Sequence, residues 1–391
     1  MHVDFLIVGA GFSGLVLAER LSNELGASCL LVERRAHIGG NAYDEYDDNG
    51  VLIHKYGPHY FRTDKQPVLD YLGRFTAWRP VDYRVLSWTR DRYWRFPVNL
   101  NTYEQLIGKP SSEVEFKAYL EKVRVPITAP ANSEEVIVSQ IGWQLYELFF
   151  KGYTQKQWRK SPADLDASVC ARIPLRTNRD DRYLRESFQA LPAAGYTRMS
   201  ERMLAACSRT KVLLNADYRE VRQQVTCRKL IYTGAIDEFY DFCAGVLPYR
   251  SLRFEAEHFT AVQLADRRVV AGRTGVWQPA LQVNYPNERD YTRIVETKHI
   301  TGQTCDGSTI VREYPLDYQR GGEAYYPIPT AEAQRQYETY AAIAAGHPEI
   351  YFAGRLATYR YYNMDQVVDA ALALAERIKA DWLAAAQRRV A

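Results

Sequence analysis

Several groups of residues in this sequence have the types and spacing needed for chemistry. Gly9-x-Gly11-x-x-Gly14 follows the apolar run "VDFLIV" and opens a helical pattern with Leu15, Ala18 and Leu21–Leu25. Glycines at this spacing allow a tight turn and bring a helix N-terminus against a pyrophosphate. Glu33 lies 19 residues beyond Gly14, where a carboxylate can hold ribose hydroxyls and repel the extra phosphate of NADP. A second glycine loop, "RRAHIGGNAY", supplies Gly39, Gly40 and Asn41 directly after that acid. Two such loops in succession characterise FAD proteins of this fold rather than NAD dehydrogenases. The cofactor set read from them is Gly9, Gly11, Phe12, Ser13, Gly14, Glu33, Arg34, Gly40 and Asn41. Further on, "YGPHYFRTD" (56–64) opens from a Gly-Pro turn onto His59 and Arg62, an odd collection for a surface loop. From residue 151 onward, arginines stand beside tyrosines repeatedly, as in "ARIPLRTNRDDRY", "YTRIVETKH" and "GRLATYRYYNMDQV". Guanidinium forks grip phosphate oxygens, and aromatic faces stack on a base or cover a sugar.

These residues need a scaffold, and the sequence outlines one. Strand, glycine loop, helix, the strand "ASCLLVE" and an acid make a βαβ unit. Residues 79–190 change to helix-length amphipathic stretches with few strand signals. Residues 212–234 return to strands, "VLLNADYREV" and "KLIYTG", and 250–328 alternate polar and apolar as an antiparallel sheet does. The chain closes with the strand "EIYFAGR" and a helix from about Asp365. Its apolar positions Val367, Ala371, Leu374, Ile378 and Trp382 form one stripe. That helix would point its positive end toward a flavin ring. The expected fold is α/β: an FAD-binding Rossmann-like domain (1–78, 191–247 and 329–391) with an inserted helical domain (79–190) and an antiparallel sheet domain (248–328).

Composition narrows the function. At 391 residues the chain exceeds one compact core. Net charge of +3 over 97 charged side chains is too weak for a nucleic-acid binder. No apolar run reaches the ~18 residues of a membrane span, and the N-terminus lacks a secretory leader pattern. Six scattered cysteines show no zinc spacing, so reduced thiols in a cytoplasmic protein are the expectation. Aromatics are abundant, 29 Tyr and 7 Trp, with tyrosines clustering at 314–326 and 359–362; such rings suit flat ligands or domain packing.

The sequence resembles the bacterial UDP-galactopyranose mutase family. The resemblance runs through "FLIVGAG", "GGNAYDEYDDNGVLIHKYGPH", "GYTQKQW", "RIPLR", "YTRIVETKH", "YYP" and "GRLATYRYYNM", in family order over essentially the whole chain. It implies an isomerase that interconverts UDP-galactopyranose and UDP-galactofuranose without net redox change, for cell-surface polysaccharide synthesis. Reduced FAD provides N5 as the nucleophile at the anomeric carbon. It also implies an external electron donor such as NAD(P)H and a homodimer. Carried onto this chain, the resemblance makes Arg176 and Arg293 diphosphate clamps, with Tyr325 and Tyr361 as hydroxyl donors. Tyr153 stacks the uracil, Trp158 borders the sugar, Arg250 joins the substrate set, and His59, Arg355 and Met364 approach the flavin.

The chain departs from that family at four places. Arg62 stands where a second histidine is usual, Asn363 where a carboxylate is usual, and Phe188 where a tyrosine is usual; residues 271–282 also diverge. Arg62 adds a positive charge and Asn363 removes a negative one, which raises the expected local charge by about two units. These changes suggest a different sugar, such as a 2-acetamido hexose. The competing class is an FAD oxidoreductase acting on an amine or alcohol, which the fold alone permits.

Overall fold

The structure, a computed structural model, describes residues 1–265 and 275–390. Residues 271–274 of the divergent stretch lie outside those described. Five parallel strands form the nucleotide-binding sheet, in the spatial order Thr210–Leu213, Cys29–Val32, His2–Val8, Thr226–Tyr232, Ile350–Phe352. The N-terminal, middle and C-terminal parts of the chain therefore share one sheet. On it pack the helices Phe12–Glu24 and Met364–Val390. The C-terminal helix buries Val368, Ala371, Leu374, Ala375 and Ile378, and Trp382 lies against Phe5 at 5.1 Å between ring centroids. Fully burying a Val, Leu or Ile side chain contributes about 1.5–3 kcal/mol, so this stripe holds the helix against the sheet.

A second sheet has seven strands, in the order Tyr326–Pro327, Tyr249–Phe259, Ser308–Asp317, Arg293–Val295, Gln282–Asn284, Val85–Thr89, Arg92–Phe96. Its pairs are antiparallel except for Gln282–Asn284 against Val85–Thr89, which is parallel. Two of these strands come from within residues 79–190, where few strands were expected. Their hairpin turns on Arg90 and Asp91, both at positive φ (52° and 55°). A turn of that kind normally announces itself by Asn or Gly, and here neither is present. The rest of that segment is largely helical, including Leu100–Ile107, Glu113–Val123 and Ser133–Tyr146.

One other reading is corrected. "VLLNADYREV" is a strand only to Leu213; Asp217 caps the helix Tyr218–Gln224, its carboxylate accepting from the Arg219 amide at 2.6 Å. Phe61–Thr63 and Trp78–Pro80 flank Phe188–Pro192 in a small three-stranded sheet. This sheet holds the His59–Arg62 segment beside the start of the C-terminal helix.

Candidate active site

The cofactor pocket is built mainly from backbone. Gly9 has φ +98°, and a Cβ on Gly14 would overlap the Gly9 carbonyl oxygen. A Cβ on Gly40 would sit 2.8 Å from Gly11 Cα, so the two glycine loops touch. Glu33, 7% exposed, accepts from the Ala10 amide (2.8 Å) and the Arg35 amide (2.9 Å), which ties the end of the second strand to the first loop. The lining includes Gly9, Gly11, Phe12, Ser13, Glu33, Arg34, Gly40, Asn41, His59, Arg355 and Met364. Gly14 acts behind the wall, letting the helix approach the loop.

The same pocket uses residues that sequence reasoning missed. Arg35 lies 4.2 Å over the Tyr56 ring and donates to Asn41 Oδ1 at 3.0 Å. Glu323, from the loop after the long sheet strand, pairs with both Arg34 (3.1 Å) and Arg35 (2.6 Å) and closes one side. Gly354, at φ +88°, brings the last strand's turn onto Ser13; a Cβ there would be 2.8 Å from Ser13 Oγ. The glycine of "FAGR" was the available signal.

At one end of this pocket His59 is held by two hydrogen bonds. Its backbone N–H donates to His54 Nδ1 (2.9 Å), and its own Nδ1 faces the Gly57 carbonyl oxygen at 2.8 Å. A carbonyl only accepts, so His59 Nδ1 carries the proton and Nε2 keeps its lone pair. Burial pushes the imidazole down to about 3, so it is neutral at physiological pH.

Beyond His59 and Arg355 lies a cluster of guanidiniums and phenols. Arg293 leaves its strand to meet Glu313, with Nε at 2.9 Å and Nη2 at 2.6 Å from Oε2; Glu313 is 1% exposed. This buried pair orients the guanidinium amid Tyr153, Tyr326 and Tyr83. Arg172 donates to the Tyr361 hydroxyl at 2.8 Å, lies over its ring at 4.9 Å, and has Tyr183 and Tyr153 as electrostatic neighbours. Arg355 sits over Tyr326 (5.3 Å) and Tyr361 (5.6 Å) and donates to the Tyr362 carbonyl at 2.6 Å. Burial opposes ionisation of Tyr361, but Arg172, Arg355 and Arg293 outweigh it and hold the phenol below the ordinary tyrosine value. Trp158 walls the cluster, 5.6 Å from Tyr361 and 6.2 Å from Tyr326. Three guanidiniums with one carboxylate leave this space electropositive, suited to a diphosphate.

The helix Gly152–Trp158, which carries Tyr153 and Trp158, follows a π-helical turn, Glu147–Lys151. Such turns recur at functional sites. Lys156 on this helix donates to the carbonyls of Tyr285 (2.7 Å), Tyr291 (3.1 Å) and Arg289. It thereby joins the helix to the loop that leads into the Arg293 strand.

Some expected site residues lie elsewhere. Arg176 spends its fork on the carbonyls of Arg182 and Leu184 (2.9 Å to the latter) and on Asp180 (3.4 Å), bracing the loop that presents Tyr183. Arg172, four residues earlier in the same box, takes the cleft position. Tyr325 lines the cofactor pocket and packs on Phe254 at 5.8 Å, whereas its neighbour Tyr326 faces Arg293 and Tyr361. Arg250, 1% exposed, donates to the Gln157 carbonyl at 2.9 Å and pairs with Asp317, supporting the Trp158 helix from behind. Phe188 packs among Phe61 and Trp78.

The departures also have concrete surroundings. Arg62 pairs through Nε with Glu186 at 2.9 Å and lies near Tyr183 and Asp365, so its charge is offset locally. Asn363 starts the C-terminal helix: its N–H donates to Gln366 Oε1 at 2.9 Å, and its carbonyl accepts from the Val367 amide at 3.0 Å. Among the described residues no group of His, Cys, Asp and Glu could hold a metal ion, and no helix is long and apolar enough to cross a membrane.

Comparison with known proteins bears on the family and the fold. A family profile described as UDP-galactopyranose mutase matches residues 148–361, and an NAD(P)-binding Rossmann-like profile matches 7–75. A probable UDP-galactopyranose mutase of Klebsiella pneumoniae is 36% identical over 95% of this chain and 94% of its own. A dTDP-fucopyranose mutase of Escherichia coli is 32% identical over 95% and 97%. A solved structure of reduced UDP-galactopyranose mutase superposes with a TM-score of 0.70 at 18% identity, covering 94% of each chain. The cofactor is FAD, and the glycine cradle, the Glu33 anchor and the His59 lone pair fit it. The chain is an isomerase and belongs to the UDP-galactopyranose mutase family.

Proposed function

We propose that this enzyme interconverts UDP-galactopyranose and UDP-galactofuranose without net redox change. The observation that carries the reading is the convergence of Arg172, Arg293 and Arg355 with Tyr153, Tyr183, Tyr326 and Tyr361 beyond the His59 end of the cofactor pocket. FAD, when bound and reduced, supplies the electron pair that attacks the anomeric carbon. The chain's own residues supply the rest. Arg172 and Arg293 neutralise the diphosphate so that UDP can leave, and they are preorganised by Tyr361 and Glu313. Tyr326 and Tyr361 add hydroxyl donors. Tyr153 stacks on the base, and Trp158 closes the sugar side against water. His59, neutral with Nε2 bare, would help hold the cofactor at its end of the pocket by accepting a hydrogen bond. An external two-electron donor such as NAD(P)H keeps the cofactor reduced, and a homodimer is the assembly this reading carries with it.

Arg62 and Asn363 support a second reading of the sugar alone: a 2-acetamido hexose, whose amide carbonyl a guanidinium can reach. The test is anaerobic turnover of UDP-galactose, UDP-N-acetylgalactosamine and dTDP-fucose by the dithionite-reduced enzyme, with products resolved by chromatography. Furanose formed from UDP-galactose at the highest rate supports the first reading, and preference for the acetamido sugar supports the second. Direct reduction of the oxidised cofactor by an amine or alcohol, with no furanose formed, would overturn both.

A further inference from the structure

His59 owes its position to a second histidine. The strand Leu52–His54 ends in a buried imidazole, 3% exposed, and the turn 55–58 folds the chain back so that the His59 amide meets His54 Nδ1 at 2.9 Å. An amide N–H can only donate, so His54 Nδ1 is an acceptor and its proton lies on Nε2. The two rings are thus in opposite tautomers: Nε2–H on His54, Nδ1–H on His59.

Behind His54 is a small cavity of about 20 Å³. His54, Tyr196 and Thr301 are among its lining residues, and the Tyr196 hydroxyl is set against the Phe61 backbone. The His54 ring packs edge to face against Tyr196 at 5.7 Å between centroids, and a ring flip that turned Nδ1 away would lose the bond from the His59 amide.

We infer that His54 is a positioning residue for His59, held in its Nε2–H tautomer by the His59 amide that donates to its Nδ1. Nδ1 then remains a lone pair for the His59 amide, and the turn presents His59 Nε2 to the cofactor pocket. Burial pushes the His54 imidazole down to about 4, so no proton competes for that lone pair near neutrality.

The inference rests on the mutase reading only for its kinetic arm. In the [15N]histidine-labelled holoenzyme, two-bond nitrogen–proton couplings should show His54 protonated on Nε2 and His59 on Nδ1. His54→Phe keeps the ring and removes the acceptor, whereas His54→Asn keeps an acceptor near the Nδ1 position. His54→Phe should redistribute the His59 tautomers and lower kcat by about tenfold or more, with His54→Asn within about threefold of the parent. The Kd for UDP should change less than about twofold in either variant. A Nδ1–H tautomer for His54 in the unmodified protein would overturn the proposal, even if no variant folds. So would a His54→Phe enzyme with unchanged His59 couplings, or one whose UDP affinity falls in step with kcat. If the unmodified enzyme turns over no nucleotide sugar yet shows the opposite tautomers, the mutase reading fails and this one stands.

Discussion

The cofactor pocket and the nucleotide-sugar cleft share a border at His59 and Arg355 but are made in different ways. The pocket is shaped by main chain: two glycine loops in contact, a helix N-terminus, and Glu33 holding the Ala10 amide. The cleft is shaped by side-chain ends from five separate segments, carrying Tyr153 with Trp158, Arg172 with Tyr183, Arg293, Tyr326, and Arg355 with Tyr361. A backbone cradle tolerates almost no change at its glycines and constrains neighbouring side chains little. A cluster of side-chain ends fails at single atoms, and only the atoms that reach it matter.

The sharpest way to break this contrast is at Gly14. A methyl group there meets the Gly9 carbonyl, which cannot retreat because the loop is itself anchored to Glu33. Gly14→Ala should abolish retention of FAD, read as the flavin-to-protein absorbance ratio, and all turnover with it. Substitutions in the cleft should leave that ratio intact. Arg172→Leu should lower kcat/KM by about 10²–10³, as loss of a preorganised charge does, while Arg176→Leu, whose fork serves its own loop, should stay within about tenfold. Equal losses for the two arginines would remove the distinction between cleft and brace.

These same positions mark how far the sequence could be read. The glycine loops, Glu33 and the C-terminal helix stripe were legible because contiguous residues at a fixed spacing determine their geometry, whereas His59, Arg355 and Met364, which line the same pocket, were expected only through the family resemblance. "RIPLR" offers two arginines, and spacing cannot say which reaches the cleft and which braces the loop. "YYP" offers two tyrosines whose side chains leave a strand on opposite faces, so a shift of one residue exchanges the cleft for the cofactor pocket. Tyr183 was visible as part of an arginine–tyrosine pairing but not placeable, and Glu313 was invisible, since each acquires meaning only from a partner distant in sequence. Tyr326→Phe should cost about 1.5–3 kcal/mol in kcat/KM if its hydroxyl donates to a charged phosphate. Tyr325→Phe should alter flavin retention slightly and leave KM unchanged.

A gentler probe of the cleft is pH. The arginines depress the Tyr361 pKa despite its burial, so its phenolate forms earlier on the alkaline side than an ordinary tyrosine's. Each phenolate formed cancels one positive charge and repels the diphosphate. KM for the nucleotide sugar should therefore rise as pH increases through that depressed value, with kcat changing less. Tyr361→Phe should flatten the rise, at the expense of the hydrogen bond from Arg172. The cofactor pocket, whose His59 and His54 are already neutral, should contribute no matching change in flavin affinity over the same range.

The smallest expected effect concerns the sugar, and Glu186 decides its size. Read from sequence, Arg62 and Asn363 together made the sugar pocket more positive. In the structure Glu186 answers Arg62 across 2.9 Å, and the Asn363 backbone caps the C-terminal helix through Gln366 and Val367. A partly buried, paired guanidinium discriminates between sugars through the direction of its remaining N–H groups rather than through net charge. Arg62→His should therefore change kcat/KM by less than about tenfold for any one nucleotide sugar. Its meaning lies in the ratio. A larger loss for UDP-N-acetylgalactosamine than for UDP-galactose makes Arg62 a reader of the acetamido group. Equal losses, reproduced by Glu186→Gln and not increased in the double variant, make the pair a brace for the small sheet behind His59.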